Sequence, residues 1–134
     1  MLRIYVDAAT KGNPGPSGGG VIILGEALNE QIHLSLGECS NHEAEFRVFI
    51  QALEILKEKQ LTNETVLLYS DSKIVVETIE KKHAKNPVFK TYLLKFQELE
   101  PLFPLLMIQW LPEKKNKGAD SLARQALRKY YQEK

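Results

Sequence analysis

The alternation of apolar and polar positions divides the chain into strands and helices in a definite order. In residues 2–7, Ile4 and Val6 flank Tyr5 and predict a first strand that ends on Asp7. Turn formers, Gly12, Pro14, Gly15 and Pro16 among them, predict a loop through about residue 17. Val21, Ile22, Ile23 and Leu24 predict a second strand over 19–25, and the alternating stretch 31–36 a third. The short connection between those two predicts an antiparallel hairpin or meander. The period then changes. Val48, Phe49, Ala52, Leu53 and Leu56 fall three, four, seven, eight and eleven residues beyond Glu45, a helical stripe within a helix over 41–58. Asn41 or Ser40 supplies its N-cap, with acids in the first turns where the helix dipole favours them. Glu43 and Glu54 fall off the stripe toward solvent; Glu45 lies on it.

A fourth strand, 66–69, runs into Ser70-Asp71-Ser72 and then a helix carrying Ile74, Val75, Thr78 and Ile79. Ser70 or Asp71 could act as its N-cap. A polar connection (82–90) leads to a third helix, 88–100, stopped by Pro101, and a fifth strand, 105–111. After the charged loop 112–117, Asn116 can cap a last helix over 117–131, on which Asp120 shares a face with Ala123, Arg124, Leu127 and Tyr131. The order is three strands, helix, strand, two helices, strand, helix. It predicts an α/β fold, a mixed sheet with helices packed on it, as a single domain over 1–134.

Four acids now stand at element ends in four separate places: Asp7, Glu45, Asp71 and Asp120. Singly, each has an ordinary explanation as a solvated acid or a cap. Together they need a cation, because carboxylates gathered in one place repel and raise one another's pKa. With no His/Cys ligand set in the pattern, the hard ions Mg²⁺ or Mn²⁺ suit them.

Composition narrows the classes. The chain has 134 residues, 43% hydrophobic and 26% charged, as in an ordinary globular domain. No apolar run approaches a membrane span, and strand 2–7 begins too early for a signal peptide, so a cytoplasmic protein away from membranes is expected. The one cysteine, Cys39, excludes an internal disulfide framework. Net charge is +1, which announces no nucleic-acid binder in bulk. Basic residues cluster locally at Lys81, Lys82, His83 and Lys85, at Lys114, Lys115 and Lys117, and at Arg124, Arg128 and Lys129. The glycine loop is no phosphate cradle, since a strand follows it and no Gly-Lys-Ser/Thr is present.

Four motifs together resemble type 1 ribonuclease H over essentially the full chain. YVDAATKGNPGPSGGG is similar to the family's first-strand motif, SNHEAEFRVFIQALEIL to its first-helix motif, YSDSKIV to its strand-helix corner, and WLPEKKNKGADSLARQAL to its last motif. The resemblance implies a ribonuclease H-like, five-stranded mixed sheet of order 3-2-1-4-5 with strands 1–3 antiparallel. It implies Asp7, Glu45, Asp71 and Asp120 as catalytic and metal-binding residues, holding two Mg²⁺ or Mn²⁺ ions per site during catalysis. It further implies hydrolysis of the RNA strand of an RNA–DNA hybrid, with 5′-phosphate and 3′-hydroxyl products; a monomer is expected. Glu45 would lie near the 2′-OH. Asn13, Ser40, Asn41 and His42 match positions that contact the hybrid backbone, whereas His33 and His83 read as surface residues.

Three features depart from the family pattern. Asp7 is followed by Ala8-Ala9 where Asp-Gly-Ser is common. The loop before Asp120, Glu113-Lys114-Lys115-Asn116, carries no His, leaving Lys115 as an electrostatic substitute. The basic protrusion of some relatives is reduced to residues 81–90. A non-catalytic ribonuclease H-like module binding nucleic acid or a protein partner is the alternative reading. A related metal nuclease with another substrate is a third.

Overall fold

The computed structural model describes residues 1–131. Its elements follow the predicted order: β1 (Leu2–Thr10), β2 (Gly15–Leu24), β3 (Asn29–Cys39), α1 (Asn41–Glu58), β4 (Val66–Ser70), α2 (Lys73–Lys81), α3 (Pro87–Leu99), β5 (Leu106–Trp110) and α4 (Lys117–Tyr131). The strands form one mixed sheet in the order β3-β2-β1-β4-β5. β1, β2 and β3 pair antiparallel, while β1–β4 and β4–β5 pair parallel. No described helix is long and apolar enough to cross a membrane.

Alternation sorts each strand between two layers. Leu2, Ile4 and Val6 of β1, Val21 and Ile23 of β2, and Val66 and Leu68 of β4 point into a core closed by α1, α2 and α3. Phe46, Phe49, Leu53 and Leu56 of α1 are fully buried there. Phe49 meets Phe96 of α3 at 5.7 Å between ring centroids. Tyr5 and Asp7, the alternate positions of β1, face the other layer, where α4 lies.

That second layer is thin because β2 offers it glycines. A Cβ on Gly18 would stand 2.5 Å from the backbone nitrogen of Leu127, and one on Gly20 would stand 2.4 Å from the carbonyl of Ala119. The helix answers with small buried residues, Ala119, Ala123 and Ala126, beside Leu122. Its buried face is therefore set one residue away from the predicted one. Arg124 is exposed, and Asp120 stands at the edge of the contact.

Two hairpin arms are longer than the pattern predicts. β1 continues past Asp7, with Ala8, Ala9 and Thr10 paired to Gly19, Gly18 and Ser17, so the loop shrinks to residues 11–14. Glycine alone disfavours strand; here the α4 backbone requires it, and packing overrides propensity. β3 runs to Cys39 through a register shift opposite Ser17 and Gly18. Gly37 takes φ +78° there, a left-handed conformation that glycine adopts without strain. The bulge breaks the alternation that ended the prediction at residue 36.

Candidate active site

The four predicted acids reach one place by four routes. The parallel ladder between β1 and β4 ends at Val6 and Ser70, while β1 continues against β2 alone. Asp7 and Asp71, the next residue on each strand, therefore emerge side by side at the sheet edge. Asp120 arrives from above through the first turn of α4. Glu45 arrives from the opposite layer, one turn into α1. A pocket of about 170 Å³ is lined by Asp7, Ala8, Glu45, Asp71, Glu113, Asp120 and Arg124.

Caps free some acids and hold others. Ser40 caps α1, accepting from the Glu43 N–H at 3.1 Å, and Ser72 caps α2, accepting from the Val75 N–H at 3.3 Å. Neither Ser70 nor Asp71 serves as the α2 cap, so the Asp71 carboxylate stays available to the pocket. Asn116 does not cap α4 with its side chain. Buried at the edge, it donates its amide NH₂ to the Val6 carbonyl at 2.8 Å and to Asp71 Oδ2 at 3.2 Å. It thereby ties the end of β1 to the acid beyond β4. Among the described residues its Oδ1 has no hydrogen-bond partner, a cost accepted for placing that NH₂. Trp110 holds Asp71 from its other side, Nε1 donating to the Asp71 carbonyl at 3.0 Å.

The electrostatics follow from burial. Desolvation, reinforced by Asp71 and Asp120, pushes Asp7 up to about 8 from an ordinary 3.8, although the Ala8 N–H pulls it down. Burial also raises Asp71, against a lowering hydrogen bond from Asn116, with Glu113 and Asp120 adding repulsion. Burial raises Glu45 too, opposed by a hydrogen bond from Ser72 and by His42, whose Nδ1 lies 3.8 Å from Glu45 Oε1. Arg124 faces Asp120, with Nε 3.2 Å from each carboxylate oxygen.

Among the described residues, no three acid, His or Cys groups already stand as a finished ligand set. The donor chemistry nevertheless fits a hard divalent cation. The pocket's acids offer oxygen alone, and the burial that raises Asp7 is offset once positive charge enters beside it.

The proposed contact residues gather along one rim. Asn13 Oδ1 accepts from the Asn41 N–H at 3.0 Å, which docks the tip of the β1–β2 turn on the start of α1, beside Ser40 and His42. His42 also meets the Phe89 ring edge-on at 6.3 Å. His33 binds Gln125 at the surface, as a surface residue would.

Sequence reasoning missed three features here. Glu113, in a 3-10 turn with no periodicity to place it, lines the pocket where Lys115 had been the expected charge. Arg124 was placed on the Asp120 face, and its i+4 spacing was the signal for the ion pair. Glu43 does not run free to solvent: it accepts from the Tyr92 hydroxyl at 2.6 Å and from Arg47 Nη2 at 3.0 Å, joining α1 to α3.

The RNase H family model matches residues 1–128. Over 134 residues the chain is 60% identical to a protein of Enterococcus faecalis named "Putative hydrolase EbsB", covering 100% of this chain and 99% of that one. The fold matches that of LC11-RNase H1, solved in complex with an RNA/DNA hybrid, with a TM-score of 0.87 and 30% identity over 96% of this chain and 98% of the other. RNase H1 of the archaeon Halobacterium salinarum matches with the same TM-score, 0.87, at 27% identity and the same coverage, 96% and 98%. Strand order, pocket and family match coincide: the chain belongs to the RNase H family.

Proposed function

We propose that this protein is a divalent-metal-dependent ribonuclease H, which hydrolyses the RNA strand of RNA–DNA hybrids and leaves 5′-phosphate and 3′-hydroxyl ends. The observation that carries the reading is the convergence of Asp7, Glu45, Asp71 and Asp120 on one pocket. The hybrid held by the solved LC11-RNase H1 supports the substrate class. Asp7, Asp71, Glu45 and Asp120 would hold Mg²⁺ or Mn²⁺, two ions per site during catalysis. When bound, such ions lower the pKa of water and neutralise charge on a phosphodiester.

The chain's own residues do the rest. Asp7 is central, since Asp71 and Asp120 both press their charge on it, which couples acids from three elements. Asn116 and Trp110 fix Asp71 and keep the two strand-end acids in register. Along the rim, the Asn13 carbonyl oxygen is committed to Asn41, which leaves its NH₂ group as the donor for a phosphate oxygen. The Ser40 oxygen accepts within the helix cap, leaving its O–H to donate outward. Exposed Asn41 and His42 extend this line of donors along the path of a nucleic-acid backbone. Glu45 stands between rim and pocket, suited to meet a 2′-OH and so to select RNA over DNA.

Labelled hybrid, duplex RNA and duplex DNA, incubated with Mg²⁺ or Mn²⁺, test the proposal with wild type and Asp7→Asn. Hybrid-selective cleavage that falls by on the order of 10³-fold in Asp7→Asn is expected, from loss of a charged ligand at the reacting centre. Cleavage that survives the substitution sinks the mechanism. Hybrid binding without cleavage in either metal would instead assign the fold to a binding module.

A further inference from the structure

Among the side chains that line the pocket, five are acids and one, Arg124, is a base. Arg124 follows Asp120 by one helical turn, and its Nε stands equally close, 3.2 Å, to Oδ1 and Oδ2. One guanidinium thus engages both oxygens of a single carboxylate, and a second cation at Asp120 has to share them. The other acids are held differently. Asp71 takes a neutral amide from Asn116, Asp7 stands among the charges of Asp71 and Asp120, and Glu45 lies beside the neutral Ser72 hydroxyl. The four carboxylates are therefore unequal toward positive charge.

Resting on the reading of this pocket as a divalent-cation site, we infer that Arg124 is a built-in rival cation. It holds Asp120 while the pocket is free of metal and weakens divalent-cation binding at that carboxylate, which keeps an ion there exchangeable. The pair can play this part because it is cheap to break. Arg124 is 67% exposed and Asp120 38% exposed, so solvent receives the guanidinium when it is displaced. The remaining repulsion between a nearby guanidinium and a divalent ion lowers affinity without closing the site.

Calorimetric titration of the full chain with Mn²⁺, in the absence of nucleic acid, tests the inference on wild type, Arg124→Gln and Arg124→Lys. Arg124→Gln should tighten the weaker Mn²⁺ step by about three- to tenfold, while Arg124→Lys, which keeps the charge, stays within about twofold of wild type. The tightening should vanish when Asp120→Asn is already present, since the two residues act on one another. Equal or weaker Mn²⁺ affinity in Arg124→Gln overturns the inference, as does tightening that persists beside Asp120→Asn. Failure of the underlying site reading looks different: wild type itself then takes up no Mn²⁺. Melting in EDTA confirms that each variant is folded.

Discussion

The two layers on either side of the sheet are built from opposite materials. On the α1 side, Phe46, Phe49, Leu53 and Leu56 meet Ile4, Val6, Val21 and Leu68, all fully buried. On the α4 side, Gly18 and Gly20 meet Ala119, Ala123 and the backbone of the helix itself. The first layer removes much apolar surface from water and supplies stability. The second buries little and sets a distance, because a helix resting on glycine approaches the strands more closely than one held off by side chains. Asp120 rides on that helix, and the close approach brings it to Asp7. One layer holds the fold together; the other aims the chemistry.

Cutting into the thick layer should give the largest loss of stability. Phe49→Ala removes a fully buried ring and is expected to cost about 3–5 kcal/mol in a denaturant melt. Cleavage per folded molecule should stay near wild type, since no pocket residue moves directly. Adding one methyl to the thin layer should do the reverse. Gly20→Ala places a Cβ 2.4 Å from the Ala119 carbonyl, at an overpacking cost of about 1–3 kcal/mol. Activity per folded molecule should fall disproportionately as α4 is displaced with Asp120. Equal specific activity in the two variants would break the comparison.

The third effect concerns charge rather than packing. Asp7 has a folded pKa of about 8 against an ordinary 3.8, so between these values the folded state binds more protons than the unfolded state. Its contribution to stability is intact below about 4 and is lost as pH rises to about 8. The raised Glu45 and Asp71 act in the same direction. In EDTA, the melting temperature should therefore fall across this window. Asp7→Asn should flatten the decline, and millimolar Mn²⁺ should reverse it by binding the folded state. A melting temperature that rises with pH in EDTA would contradict the burial of these acids.

Much of the site was legible because it depends on local pattern. Helical spacing put Glu45 on the buried stripe of α1, and the strand-to-helix corner singled out Asp71. Features that arise where distant segments meet were not legible. Asn116 looked like a helix cap, yet its amide goes to Val6 and Asp71, far away in sequence. Glu113 sits in a turn without period, and Glu43 found Tyr92 on another helix. Residues 15–17 looked like a loop because glycine and proline are poor strand formers in isolation, yet they pair at the start of β2.

By itself, the sequence determined the order of the elements and set four carboxylates at their ends, since periodicity and caps act within a few residues of chain. The tertiary structure decided where the β1–β4 ladder stops and how closely α4 lies on β2. Those outcomes depend on backbone-to-backbone distances between segments up to a hundred residues apart, which no local pattern encodes.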